Sequence, residues 1–152
     1  MIEPPSILLV EDNDDDAELT ARAFGQAKIG NPLVRVVDGV EALDYLFGLG
    51  AYAGRDLAKL PVLILLDLKL PRLDGLDVLK AVRAHDRTRY LPVVMLTSSD
   101  HDRDRLAAYH HHVNGYVKKP VDYDQFVEAA RQLGLYWVVF NLSAPSVGTA
   151  RG

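Results

Sequence analysis

The chain has 152 residues, 17 basic against 21 acidic, for a formal net charge of −4. An apolar share of 49% and a charged share of 25% exclude disorder for the bulk of the chain and suit one globular domain. The acidic balance leaves no electrostatic footprint for nucleic acid, and the lack of cysteine excludes disulfides, thiolate zinc and a thiol nucleophile.

At the start, Met1–Pro5 carries no basic region and the apolar run after it stops at Glu11, which argues against a signal peptide. Short aliphatic runs then recur at Ser6–Val10, Leu33–Val37, Val62–Leu66, Pro92–Leu96 and Val113–Lys118. Such runs suit strands buried on both faces of a parallel sheet. Between them lie segments with helical spacing. The first carries Ala17, Ala21, Phe24 and Lys28, the second Val40, Leu43, Leu46 and Phe47, and the third Leu76, Leu79 and Val82. Leu106 and Tyr109 mark a short fourth, and a fifth begins near Asp122 with Phe126, Ala130, Leu133, Trp137 and Phe140. Five βα units in strict alternation predict an α/β fold: a five-stranded parallel sheet, doubly wound, with right-handed crossovers. Gly48–Pro61 interrupts the pattern as a long connection, and Ser143–Gly152 has the composition of a mobile tail after a domain spanning 1–142. No apolar run approaches the ~20 residues of a membrane span. The expected location is the cytoplasm.

Ligands of an open parallel sheet bind outside the carboxyl ends of its strands, where strand order reverses. Glu11 and Asp12 follow the first run, Asp67 the third and Thr97 the fourth, while the fifth ends in Lys119-Pro120. Three carboxylates, a hydroxyl and an ammonium therefore share one edge. Clustered carboxylates repel one another unless a cation sits among them, and oxygen donors in a wet pocket suit Mg²⁺. A carboxylate beside that ion can be phosphorylated as an aspartyl phosphate, with Thr97 and Lys119 of the right types to donate to it and neutralise it. Taken singly, each residue has a plainer reading as a helix cap, a turn residue or a surface lysine. The joint occurrence at carboxyl ends is what points to chemistry.

Four segments carry a family resemblance: ILLVEDN at Ile7–Asn13, LLDLKLPRLDG at Leu65–Gly75, PVVMLTSS at Pro92–Ser99 and GYVKKP at Gly115–Pro120. In order and placement they resemble a response-regulator receiver domain of two-component signalling, a flavodoxin-like fold, over roughly Pro5 to Phe140. The resemblance implies Asp67 as phosphoacceptor, and a Mg²⁺ site of Asp12, Asp67 and the Lys69 backbone carbonyl, on which Glu11 acts mainly through water. It further implies Thr97 and Lys119 as phosphoryl partners, Tyr116 as the switching aromatic and Lys119-Pro120 as a candidate cis bond. The Gly48–Pro61 insertion, the stretch His112–Pro120 and the aromatic end at Tyr136-Trp137 resemble the single-domain regulators of bacterial and cyanobacterial phytochrome kinases. A sensor histidine kinase is then the expected partner, with no effector domain and no enzymatic output.

Some features point elsewhere. Alternation on a strand sends Lys118 and Lys119 to opposite faces, so only one can meet the acids; the resemblance selects Lys119. The run His110-His111-His112 cannot converge on one ion, because consecutive helical residues point ~100° apart, and a solvated helix end is expected instead. Lys69 reads as a rim lysine or as a cation able to slow attack by water on the acyl phosphate. Leu133–Leu142 leaves almost no polar face, so a homodimer contact through this aromatic segment is expected. A phosphorylation-independent scaffold and a Mg-dependent phosphatase are the alternatives. The first class usually lacks one of the five site residues, and the second needs a further acid where Asp67-Leu68-Lys69 has none.

Overall fold

The aliphatic runs form strands in the computed structural model, which describes residues 5–97, 111–118 and 123–132. In chain order these are β1 (Ile7–Val10), α1 (Asp14–Gln26), β2 (Leu33–Val36), α2 (Gly39–Phe47), β3 (Leu63–Asp67), α3 (Gly75–Ala84), β4 (Val93–Thr97) and β5 (Gly115–Lys118). Residues 123–132 are helical. Leu106, Tyr109 and the segment Leu133–Gly152 lie outside the described residues. By compactness the described chain parts into two units, one holding residues 5–18, 31–97 and 111–118, the other 19–30 and 123–132.

In the first unit the five strands are parallel, in the order β2-β1-β3-β4-β5. The chain steps outward from β1 to β2, then returns past β1 to lay down β3, β4 and β5. Strand order therefore reverses between β1 and β3, as in the flavodoxin-like class of α/β folds. Every residue of β1 and β3 is buried. Leu8, Val10, Ile64 and Leu66 share one face with Ala42 and Leu46 of α2 and Val78, Leu79 and Val82 of α3. Ile7, Leu9, Leu63 and Leu65 alternate with them and are buried on the other face.

Boundaries shift by a residue or two from the apolar runs because the ladder, not hydrophobicity, defines a strand. Asp67 pairs with Leu96 and so closes β3 instead of following it. Pro92 lends its carbonyl to the Ile64 N–H at 2.9 Å but has no N–H to give, and β4 begins after it.

The stripe expected on the first helix needs correction. Ala21 is exposed, and Thr20 and Ala23 are buried in its place beside Ala17 and Phe24. Lys28 lies past the helix end at φ 62°, where the Ile29 N–H donates to the Phe24 carbonyl at 3.0 Å in a left-handed cap. In the second unit Ala23, Phe126 and Val127 cluster with Leu19, Ala27 and Tyr123, and the Tyr123 hydroxyl bonds Gln26 at 2.8 Å.

The long connection is folded, not loose. Gly48, at φ 69°, stops α2, and a 3₁₀ turn follows at Gly50–Tyr52. Tyr52 meets Tyr45 edge-on at 5.2 Å and donates its hydroxyl to Glu41 at 2.7 Å. The Arg55 guanidinium stacks on Tyr45 at 4.0 Å and donates to its carbonyl at 2.7 Å.

At the amino ends of β4 and β5, Arg83 of α3 makes five bonds to neutral oxygens. These are the carbonyls of Arg89, Leu91, His111 and His112 and the Asn114 side chain. Asn114 in turn accepts from the Val93 N–H at 2.8 Å. His112 adopts φ 62°, and Arg83 meets His111 and His112 through their backbone carbonyls.

Candidate functional site

The carboxyl ends of β1 and β3 sit side by side because their strands are paired through Val10 and Leu66. The residues just beyond that pair are therefore neighbours. Glu11 is buried, Asp12 exposed and Asp67 only 7% exposed. One carboxylate oxygen from each lies within 4.8 Å of those of the other two. Two of the three are withdrawn from bulk water, so their mutual repulsion is poorly screened.

Each acid sits on a loop with its own support. On the β1–α1 side the Glu11 carboxylate accepts the Asn13 N–H at 3.2 Å, and the Asn13 side chain caps α1 by accepting the Asp16 N–H at 2.9 Å. Arg35 reaches over from β2, donating Nε to the Glu11 carbonyl at 2.9 Å and pairing Nη1 with Asp14 at 2.8 Å. Its Nη2 is buried with no hydrogen-bond partner among the described residues.

On the β3–α3 side the Asp67 carboxylate accepts the Lys69 N–H at 3.1 Å, which folds the chain back over the acid. The Gly75 N–H closes the loop on the Leu68 carbonyl at 2.8 Å. A Cβ on Gly75 would stand 2.2 Å from the Asp67 carbonyl oxygen, so only glycine lets α3 start this close to the acid. Asp74 caps α3 by accepting the Asp77 N–H. Arg72, at φ 66°, bonds both oxygens of Asp38 at 3.0 and 3.1 Å. Asp38 also caps α2 by accepting the Glu41 N–H at 2.7 Å.

Of the residues expected from sequence, Glu11, Asp12 and Asp67 come together. Lys69 is exposed and its N–H touches Asp67. Thr97 closes β4 in register with Lys118, and Tyr116 lies on β5 opposite Met95. The side chains of Thr97, Tyr116 and Lys118, together with Lys119 and Pro120, lie outside the described residues. Sequence reading missed Arg35, Asp38 and Arg72. Two of them left a trace: Arg35 is the one charge inside the run LVRVV, and Asp38-Gly39-Val40-Glu41 spells a capping box.

Three carboxylates of this kind fit a hard divalent cation such as Mg²⁺, which takes one or two carboxylates and keeps several waters. No helix among the described residues is long and apolar enough to cross a membrane.

An α/β sheet with acids at its switch point defines the class, and comparison with known proteins names the family. Residues 7–131 match the response regulator receiver domain. The chain belongs to that family of signalling proteins, which is not a classical enzyme family. It is 40% identical over 141 residues to the probable methanogenesis regulatory protein FilR2 of Methanothrix harundinacea, covering 93% of this chain and 88% of that one. Response regulator Rcp1 of Synechocystis sp. is 33% identical over 135 residues, 89% and 90% of the two chains. A solved structure of Rcp1 in its Mn²⁺-bound form superposes with a TM-score of 0.78 at 34% identity, over 88% of this chain and 94% of that one. The bacteriophytochrome response regulator AtBRR superposes with a TM-score of 0.74 at 47% identity, over 90% and 96% of the chains.

Proposed function

We propose that this chain is a single-domain response regulator, phosphorylated on Asp67 by a sensor histidine kinase of the phytochrome type. The observation that carries the reading is the convergence of Glu11, Asp12 and Asp67 within 4.8 Å. Family membership supports it, as does 47% identity to a bacteriophytochrome response regulator.

An Asp67 carboxylate oxygen attacks the phosphorus of a phosphohistidine. The new P–O bond forms as the P–N bond breaks, and the imidazole leaves with the electron pair. Asp12, Asp67 and the Lys69 carbonyl would hold a Mg²⁺, with Glu11 acting on it mainly through water, and likeness to a relative crystallised with Mn²⁺ supports a divalent cation at this site. When bound, the ion neutralises charge on the phosphoryl oxygens. Thr97 hydrogen-bonds the phosphoryl group, Lys119 pairs with it, and Tyr116 follows Thr97 inward to change a distal surface.

The receiver spans 1–142 with a tail at 143–152, acts in the cytoplasm, and forms a homodimer through the apolar segment Leu133–Leu142. Light scattering at tens of micromolar tests the dimer, and a wild-type monomer refutes it. For the phosphoacceptor, the protein is incubated with acetyl phosphate and its intact mass measured. One phosphoryl group is gained with Mg²⁺ present, and none with chelator or in Asp67→Asn. Labelling of Asp67→Asn, or full labelling without metal, overturns the assignment.

A further inference from the structure

The loop after Asp67 is docked on the start of α2 at two consecutive residues. Arg72 forks onto Asp38, and the Leu73 carbonyl oxygen occupies the place a Cβ on Gly39 would take, 2.0 Å away. The same loop carries the Lys69 N–H that holds Asp67 and ends at Gly75, pressed against the Asp67 carbonyl. Arg72 sits in the left-handed region, which side-chain-bearing residues rarely adopt and which persists only where surroundings enforce it. Asp38 is well placed to enforce it. Its side chain is 12% exposed against 59% for Arg72, and it is itself fixed by capping α2, so the more exposed partner closes on an anchored one. A bidentate guanidinium–carboxylate pair also sets orientation as well as distance.

We propose that Arg72 is a positioning residue: its pair with Asp38 holds the Leu68–Asp74 loop in the left-handed turn that presents Asp67 and the Lys69 backbone to the cation. This rests on the metal site proposed above and assigns that site a support from outside the ligand set. Arg72→Met keeps the bulk and the backbone strain but loses the pair. Arg72→Gly loses the pair and the strain together. Asp38→Asn keeps a cap on α2 and loses the charge.

The test uses the full chain, with Mg²⁺ affinity read by titration calorimetry and amide exchange of Lys69, Leu73 and Gly75 read in metal-free protein. Arg72→Met is expected to bind Mg²⁺ about tenfold more weakly, the usual scale for groups that orient metal ligands. It should also exchange those amides faster than wild type. Arg72→Gly should bind more tightly than Arg72→Met. Asp38→Asn should weaken binding in the same direction as Arg72→Met, and it reads the pair if the methionine variant does not fold. Wild-type affinity and exchange in Arg72→Met or Asp38→Asn overturn the proposal, as does an Arg72→Gly no tighter than Arg72→Met. Wild-type protein that binds no Mg²⁺ refutes the metal site instead, and amide exchange then still decides whether the pair holds the loop.

Discussion

At the amino ends of β4 and β5 the Arg83 guanidinium donates to five neutral oxygens drawn from residues 89–91 and 111–114. At the carboxyl ends of β1 and β3 three carboxylates stand within 4.8 Å of one another. Burial pulls the Arg83 guanidinium below its ordinary pKa, but arginine titrates too high for this to remove its charge. Its bonds tie together the segments through which the chain enters the two strands, and those to the His111 and Leu91 carbonyls are partly buried. One end of the sheet is thus arranged to stabilise the fold. The other gathers like charges, an arrangement that costs stability in proportion to how far their repulsion is left uncompensated and that folded proteins retain where function requires it. The two ends should therefore answer to substitution with opposite signs.

The largest effect is expected at the Arg83 end. Arg83→Met removes every one of those bonds and leaves the part-buried Leu91 and His111 carbonyls without this donor, costing about 3 kcal/mol by the scale of hydrogen bonds to charged groups. Chemical denaturation at neutral pH measures it, and Mg²⁺ affinity should stay at the wild-type value. A loss below about 1 kcal/mol would mean that water replaces the guanidinium and that this end is not self-contained.

The acid end should move the other way. Asp12 is exposed, so its repulsion by Glu11 and Asp67 is damped by water to about 1 kcal/mol at these distances. Asp12→Asn should make the metal-free protein more stable by that amount and abolish most of the stabilisation that added Mg²⁺ gives wild type. If Asp12→Asn is destabilised without metal, the carboxylate is structural and the contrast between the two ends fails.

Legibility in the sequence depends on which signals are local. Five aliphatic runs announce five parallel strands, and the carboxyl ends of the first and third carry the acids. Because Asp67 ends an apolar run, its place at the sheet edge needs no tertiary knowledge. The supports of the site are another matter. Arg72 and Asp38 are 34 residues apart, and their pairing depends on a left-handed turn that no periodicity records. Arg35 is visible as an odd charge in a strand, but its attachment to the Glu11 carbonyl needs the β1–β2 register. The first helix is legible in position and not in facing, because Ala21 is apolar yet exposed while Thr20 is polar yet buried. Side-chain polarity is a weak guide for residues so small.

The smallest expected effect probes the long connection, which ties back to the acid end through Glu41. One Glu41 oxygen accepts the Tyr52 hydroxyl at 2.7 Å, and the other accepts the Val37 N–H at 2.8 Å, just ahead of Asp38. That bond to a carboxylate, with burial and the Glu41 charge adding to it, raises the Tyr52 pKa from 10.0 to about 12. The folded state therefore holds the phenolic proton more tightly than the unfolded chain does. The resulting stabilisation is complete below the unfolded value near 10 and is lost as pH rises through the folded value near 12. Tyr52→Phe should be less stable than wild type by about 1 kcal/mol at pH 7, the net worth of one hydrogen bond. The gap between the two proteins should close between pH 10 and pH 12. Parallel denaturation curves of both proteins across that range cancel every other titrating group. A constant gap would show that Tyr52 stabilises by packing on Tyr45 alone, and would detach the long connection from the support of the acid end.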